Sequence, residues 1–187
     1  MQMYFLAIVL PKDLNEKVLK YKHIMQQKYN CRVGLKSPAH ITLVPPFWME
    51  QNKEQHLLRD IDLISSRYSP FIIVTDNFSA FKLKTIFIAL APNKHLDEVK
   101  AATDNFFMNN LFYSIKTDTR SFHPHITIAT RDLFKKDFFE IWPWFESQKF
   151  FEEWKAEGIA VLRHNKKNWD VIHTSQFKQQ DFILEVE

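Results

Sequence analysis

His40-Ile41-Thr42-Leu43 and His125-Ile126-Thr127-Ile128 are nearly identical tetrapeptides, 85 positions apart. Along an extended strand successive side chains alternate faces, so each histidine shares a face with the threonine two residues on, and the aliphatic residues point the other way. Each tetrapeptide therefore offers one imidazole and one hydroxyl to the same side. Where two such pairs converge on one cleft, two titratable rings and two hydroxyl donors surround a space the size of a phosphate group.

Imidazole titrates near pH 6.5, so one ring of such a pair can accept a proton while the other, charged, donates one. General base and general acid are then present together. Opening a cyclic phosphodiester needs that division. One group deprotonates the attacking water or hydroxyl, the other protonates the departing sugar oxygen, and Thr42 and Thr127 hold the nonbridging oxygens. That chemistry requires no metal and no cofactor. His123 and His125 also share a strand face, as a zinc pair would, but the first tetrapeptide has no matching second histidine and no acidic or cysteine ligand accompanies them. A histidine-triad hydrolase would carry a third histidine where Thr127 stands. His23, His56, His95, His164 and His173 lack a repeated context and read as structural.

The elements that must position the two motifs are themselves repeated. Met3 to Leu10 is an apolar run closed by Pro11, and from Asp13 to Gln27 the residues Leu14, Val18, Tyr21 and Met25 recur at helical spacing. Thr85 to Leu90 is again an apolar run closed by Pro92, followed by His95 to Asn109 with Leu96, Val99, Thr103 and Phe106 or Phe107 in the same period. Pro38 and Pro124 precede the two histidines, and the distance from the strand-closing proline to the histidine is 29 residues in one copy and 33 in the other. A duplicated strand-helix-strand unit accounts for all of this. Between the copies the pattern predicts a helix over 53–67, a strand over 71–81 and a turn at Lys82-Leu83-Lys84. After the second copy it predicts a helix over 135–151, kinked or restarted at Pro143. Two β runs follow, over 154–163 and 168–177, joined by a hairpin loop at 164–167. The fold class is therefore α+β, one bilobed domain over 1–187 whose two pseudo-symmetric lobes, with antiparallel-rich sheets, flank a central cleft.

Composition sets the outer limits. Hydrophobic residues make up 45% and charged residues 25%, the balance of a globular chain and not of a disordered one. A net charge of +3 permits a phosphate-bearing ligand without demanding one. Cys31 is the lone cysteine, which excludes an internal disulfide and paired-cysteine zinc or redox chemistry and fits a reducing cytoplasm. The Met3 to Leu10 run is too short to cross a bilayer and lacks the flanks of a signal peptide, so a buried strand and no membrane contact are expected.

Four further residues are candidates for touching substrate. Phe47 and Trp48, just after the first motif, either stack on a base, which contributes about 1–3 kcal/mol per base, or belong to the core. Arg120 and Arg131 flank the second motif and can supply positive charge, whereas Lys36 and Lys82 read as solvated surface. The aromatic cluster from Phe134 to Trp154 reads as core, so no obligate protein partner is expected.

The stretches His40-Ile41-Thr42-Leu43-Val44-Pro45-Pro46-Phe47 and Phe122-His123-Pro124-His125-Ile126-Thr127-Ile128-Ala129 closely resemble the paired motifs of the two-histidine (2H) phosphoesterase superfamily. Within it, the similarity is to the LigT-like branch of RNA 2′,3′-cyclic phosphodiesterases, also called 2′-5′ RNA ligases. The resemblance covers nearly the whole chain. It implies that His40 and His125 are catalytic and that Thr42 and Thr127 bind phosphate. The expected partner is a nucleotide or an RNA with a cyclic phosphate end, and the expected activity is metal-independent hydrolysis of that ring, with 2′-5′ ligation drawing on the same acid and base. Two alternatives stay open: a binding module of the same fold without turnover, and a phosphoesterase for a non-nucleotide metabolite.

Overall fold

The computed structural model describes residues 1–113, 115 and 120–178. In chain order the elements are β1 (Gln2–Val9), α1 (Lys12–Tyr29), β2 (His40–Met49), α2 (Glu54–Ser65), β3 (Phe71–Phe81), β4 (Thr85–Leu90), α3 (Lys94–Asn109), β5 (His125–Ala129), α4 (Lys135–Ser147), β6 (Glu153–Ala156), β7 (Gly158–His164) and β8 (Trp169–Gln176). Short 3-10 turns at Val33–Lys36 and Gln51–Lys53 precede β2 and α2. The eight strands form one sheet in the order β6-β3-β4-β5-β2-β1-β7-β8, and every pairing is antiparallel.

The duplication is visible in this order. β1, α1 and β2 form one unit and β4, α3 and β5 the other, and the units join where β2 pairs with β5. The helices lie across the join, since α1 packs against β5 and α3 against β2. α1 ends at Asn30, whose left-handed backbone (φ 57°) lets its N–H cap the last turn. α3 starts at Asn93, whose side chain accepts from Leu96 N–H. β1 is buried on both faces because it is interior: Tyr4, Leu6 and Ile8 join the main core under the helices, and Phe5 and Ala7 join a small cluster with Ala160 and Leu162 on the opposite face.

Two expectations are corrected at the C-terminal end. The residues 154–163 do not form one run: β6 pairs with β3 and β7 with β1, near opposite ends of the sheet, with Glu157 alone between them. One intervening residue spans only about 7 Å. The sheet must therefore curl back on itself, and Phe177 N–H donates to Glu157 O at 2.7 Å across that corner. The helix expected over 135–151 passes through Pro143 but stops at Ser147, which lets Phe150 drop into an aromatic cluster with Tyr21 and Phe78. Pro143 leaves the carbonyl one turn back without a donor, and Phe139 there is exposed, where water can supply one.

Candidate active site

β2 and β5 are neighbours, antiparallel, with Ile41 facing Ile126. That register puts His40 opposite Thr127 and Thr42 opposite His125, so each histidine of one unit stands across from the threonine of the other. Ile41, Leu43, Ile126 and Ile128 are fully buried toward the helices, and the four polar residues are half-buried on the other face. The flanking strands keep the symmetry, with Val9 opposite His40 and Ala89 opposite His125. They break it at the threonines, where Ala7 faces Thr42 and Phe87 faces Thr127.

Both imidazoles are anchored identically. His40 Nδ1 lies 2.7 Å from Pro38 O and His125 Nδ1 lies 2.6 Å from His123 O. A carbonyl oxygen can only accept, so each Nδ1 carries the hydrogen and the neutral ring keeps its lone pair on Nε2. The titrating nitrogen of both rings is thereby fixed.

Their surroundings differ. Burial pushes the His40 imidazolium down to about 4, partly opposed by the bond to Pro38, with the positive charges of Lys22 and His125 lowering it further. Burial also lowers His125, opposed by its bond to His123 O, with the His123 charge lowering it too. The His40 ring packs on Phe5 at 4.8 Å, and the His125 ring is boxed by Phe81 and Phe87, each at 5.1 Å.

A cleft of about 300 Å³ opens over this face. Its middle is lined by His40, Thr42 and Thr127, one end by Lys22, Lys36, Ser37, Thr130 and Arg131, and the other by Met3, Phe5, Pro46, His164 and Trp169. No aspartate or glutamate is among the described residues that line it. The cleft is thus polarised, basic at one end and aromatic at the other, where Phe5 and Trp169 meet edge to face at 4.7 Å.

Of the residues singled out from sequence, His40, Thr42, Thr127 and Arg131 line this cleft. His125 sits in the same row of the sheet but outside the cavity wall. Phe47 is buried on the helix face, stacked on Tyr4 at 6.2 Å and packed against Phe107 at 5.9 Å, so it is core. Trp48 is 58% exposed and Arg120 is exposed, and neither lines the cleft. Lys36, read as surface, and His164, read as structural, do line it. Lys22, Phe5 and Trp169 were missed. The signal for Lys22 was present: a lysine stands where the buried stripe Leu14, Val18, Met25 calls for an apolar residue. Among the described residues no three His, Cys, Asp or Glu side chains gather as metal ligands would, and none of them gives the His123/His125 pair a third donor. No helix among them is long and apolar enough to cross a membrane.

Two His-x-Thr strands meeting at the centre of a curled antiparallel sheet, with helices across one face and an open cleft on the other, define the LigT-like class of two-histidine phosphoesterase folds. The chain belongs to the 2′-5′ RNA ligase superfamily, whose pattern matches residues 12–168. Similar solved structures include TT0787 of Thermus thermophilus, with a TM-score of 0.69, 16% identity and coverage of 96% of this chain and 100% of that one. E. coli LigT in its apo form gives a TM-score of 0.62 at 14% identity, covering 95% of this chain and 98% of that one. E. coli LigT complexed with 3′-AMP gives 0.59 at 15% identity, covering 95% and 99%. No curated protein sequence matches significantly.

Proposed function

We propose that the protein is a phosphoesterase that opens 2′,3′-cyclic phosphates on nucleotides or RNA ends. The observation that carries this reading is the pair of imidazoles, each held through Nδ1 on a carbonyl two residues back and each standing across from a threonine on a cleft rich in positive charge. His40, the ring driven down to about 4, is neutral at pH 7 and acts as the general base. It takes a proton from water as the water oxygen bonds to phosphorus. His125, its affinity for a proton raised by the phosphate anion beside it, protonates the sugar oxygen as the old P–O bond breaks. Thr42 and Thr127 donate to the nonbridging oxygens. The product is a nucleoside monophosphate end. With a 5′ ribose hydroxyl in place of the water, the same transfers join two RNA ends through a 2′-5′ link, the 3′ oxygen leaving with the proton from His125.

The superfamily and the E. coli LigT complex with 3′-AMP support a nucleotide as the ligand. The aromatic end of the cleft suits a base and the basic end suits phosphate. The test is hydrolysis of 2′,3′-cyclic nucleotides and of a short RNA ending in cyclic phosphate, in excess chelator, for wild type, His40→Ala and His125→Ala. Turnover that each variant lowers about a hundredfold or more supports the mechanism, and full activity in either variant refutes it. A second reading, a nucleotide-binding module without turnover, is favoured by one feature, His125 lying outside the cavity wall. Tight binding of unchanged ligand would establish it.

A further inference from the structure

Burying an ammonium is costly unless something pairs with it. Lys22 is only 2% exposed, and no carboxylate among the described residues pairs with it. Its three N–H donors share one long hydrogen bond, 3.4 Å to Ser37 O. Lys100, the other buried lysine, shows the usual arrangement, since it pairs with Asp104 and lies over the Phe122 ring. What Lys22 does face is the cleft, at the end it shares with Lys36, Thr130 and Arg131 and beside His40. The 3-10 turn before β2 closes over its stem. A Cβ on Gly34 would lie 3.9 Å from Lys22 Cδ and 2.4 Å from Ile128 O, so the glycine is what lets the turn come down this far. The local structure thus sequesters a positive charge from water and aims it at a space that no carboxylate among the described residues lines.

We propose that Lys22 is an anion-binding residue of this cleft, its ammonium taking a phosphate oxygen of the ligand at the basic end next to His40. The inference rests on the reading of the cleft as a phosphoester site and adds to it a group from outside the two motifs. Lysine suits the task as a compact point charge. Although burial lowers Lys22 to about 8, it stays protonated at neutral pH. The bound phosphate supplies the counter-charge that no described residue provides, and selectivity for an anionic ligand follows, since a neutral one would leave the buried ammonium without it.

The experiment is titration of inorganic phosphate, at pH 6.5 by calorimetry, into wild type, Lys22→Met and Lys20→Met. Lys20 is exposed on the same helix and controls for net charge. The expected result is tenfold or greater loss of phosphate affinity in Lys22→Met and less than twofold change in Lys20→Met. In Lys22→Met the His40 imidazole also titrates higher by NMR, because a neighbouring positive charge is gone. Phosphate affinity within twofold of wild type in Lys22→Met overturns the proposal. Should that variant not fold, nitrogen-15 NMR of the lysine ammonium groups in wild type decides: a shift of the Lys22 signal at saturating phosphate supports it, and no shift overturns it. If wild type opens cyclic phosphates while Lys22→Met binds phosphate normally, only the role of Lys22 falls. If wild type turns over nothing but holds phosphate through Lys22, the enzymatic reading falls and the anion site stands.

Discussion

Replacing Lys22 by methionine should make the unliganded protein more stable, and the size of the gain can be worked from its surroundings. Burial lowers the ammonium from 10.5 to about 8. At about 1.4 kcal/mol per pKa unit, holding the charge inside the folded protein costs about 3 kcal/mol at pH 7. Methionine fills a similar volume with no charge to desolvate, so the variant gains about 2–3 kcal/mol, or roughly 5–10 °C in melting temperature for a chain of this size. The pH dependence has a definite sign. Below about 8 the lysine is charged in both states and the full penalty applies. Between about 8 and 10.5 the folded protein releases the proton while the unfolded chain still holds it, so wild-type stability rises with pH. Above 10.5 the penalty is gone. The assay is urea unfolding of both proteins at pH 7, 9 and 10.5, read by far-ultraviolet circular dichroism. The gap should be widest at pH 7 and should shrink through the alkaline range. A variant less stable than wild type at pH 7, or a gap that does not change with pH, refutes the reasoning, because the ammonium would then be satisfied within the fold.

Gly34→Ala should lose about 1–3 kcal/mol of stability in the same assay, since the new methyl meets the backbone carbonyl of Ile128, in a strand flanked on both sides and unable to yield. Its phosphate affinity should fall as well, because the turn that encloses the Lys22 stem is lifted. Trp169→Ala should weaken binding of 3′-AMP by about tenfold or more, the loss of one stacked base. Its affinity for inorganic phosphate should stay within twofold, and equal weakening of both ligands would mean that the aromatic end does not hold the base.

What could be read from the sequence was local. The His-x-Thr repeat, its flanking prolines and the strand-helix-strand order are short-range patterns, and the structure has β1, α1, β4 and α3 within two residues of their expected bounds. The turn at Lys82-Leu83 was also legible, and both residues take the positive φ that a two-residue hairpin needs. Strand order was not legible, because the β2/β5 join and the split of β6 from β7 depend on contacts between residues far apart in sequence. Phe47 was nearly decidable. It has the same parity along the strand as Ile41 and Leu43, but Pro45 and Pro46 intervene and the β1/β2 register shifts there, so counting by twos lost its authority. The signal at Lys22 was masked by its neighbour: Tyr21 completes an equally good helical stripe, and in the fold both turn inward, Tyr21 onto Phe78 and Lys22 into the buried row.

Duplication by itself gives two equal histidines, and equal histidines make poor partners for acid and base work, because both would gain and lose protons together. The two rings here share one anchoring geometry and one register, so their difference has to come from residues the duplication did not preserve. Those residues are identifiable. Ala7 stands where the other unit has Phe87, His40 feels the buried charge of Lys22, and His125 sits against His123 and between two phenylalanines. Burial lowers both rings, and each then meets different charges, Lys22 and His125 at His40 and His123 at His125. In this chain the backbone symmetry aligns the pair, and burial first, with the charge of Lys22 adding to it, lowers the proton affinity of the His40 ring.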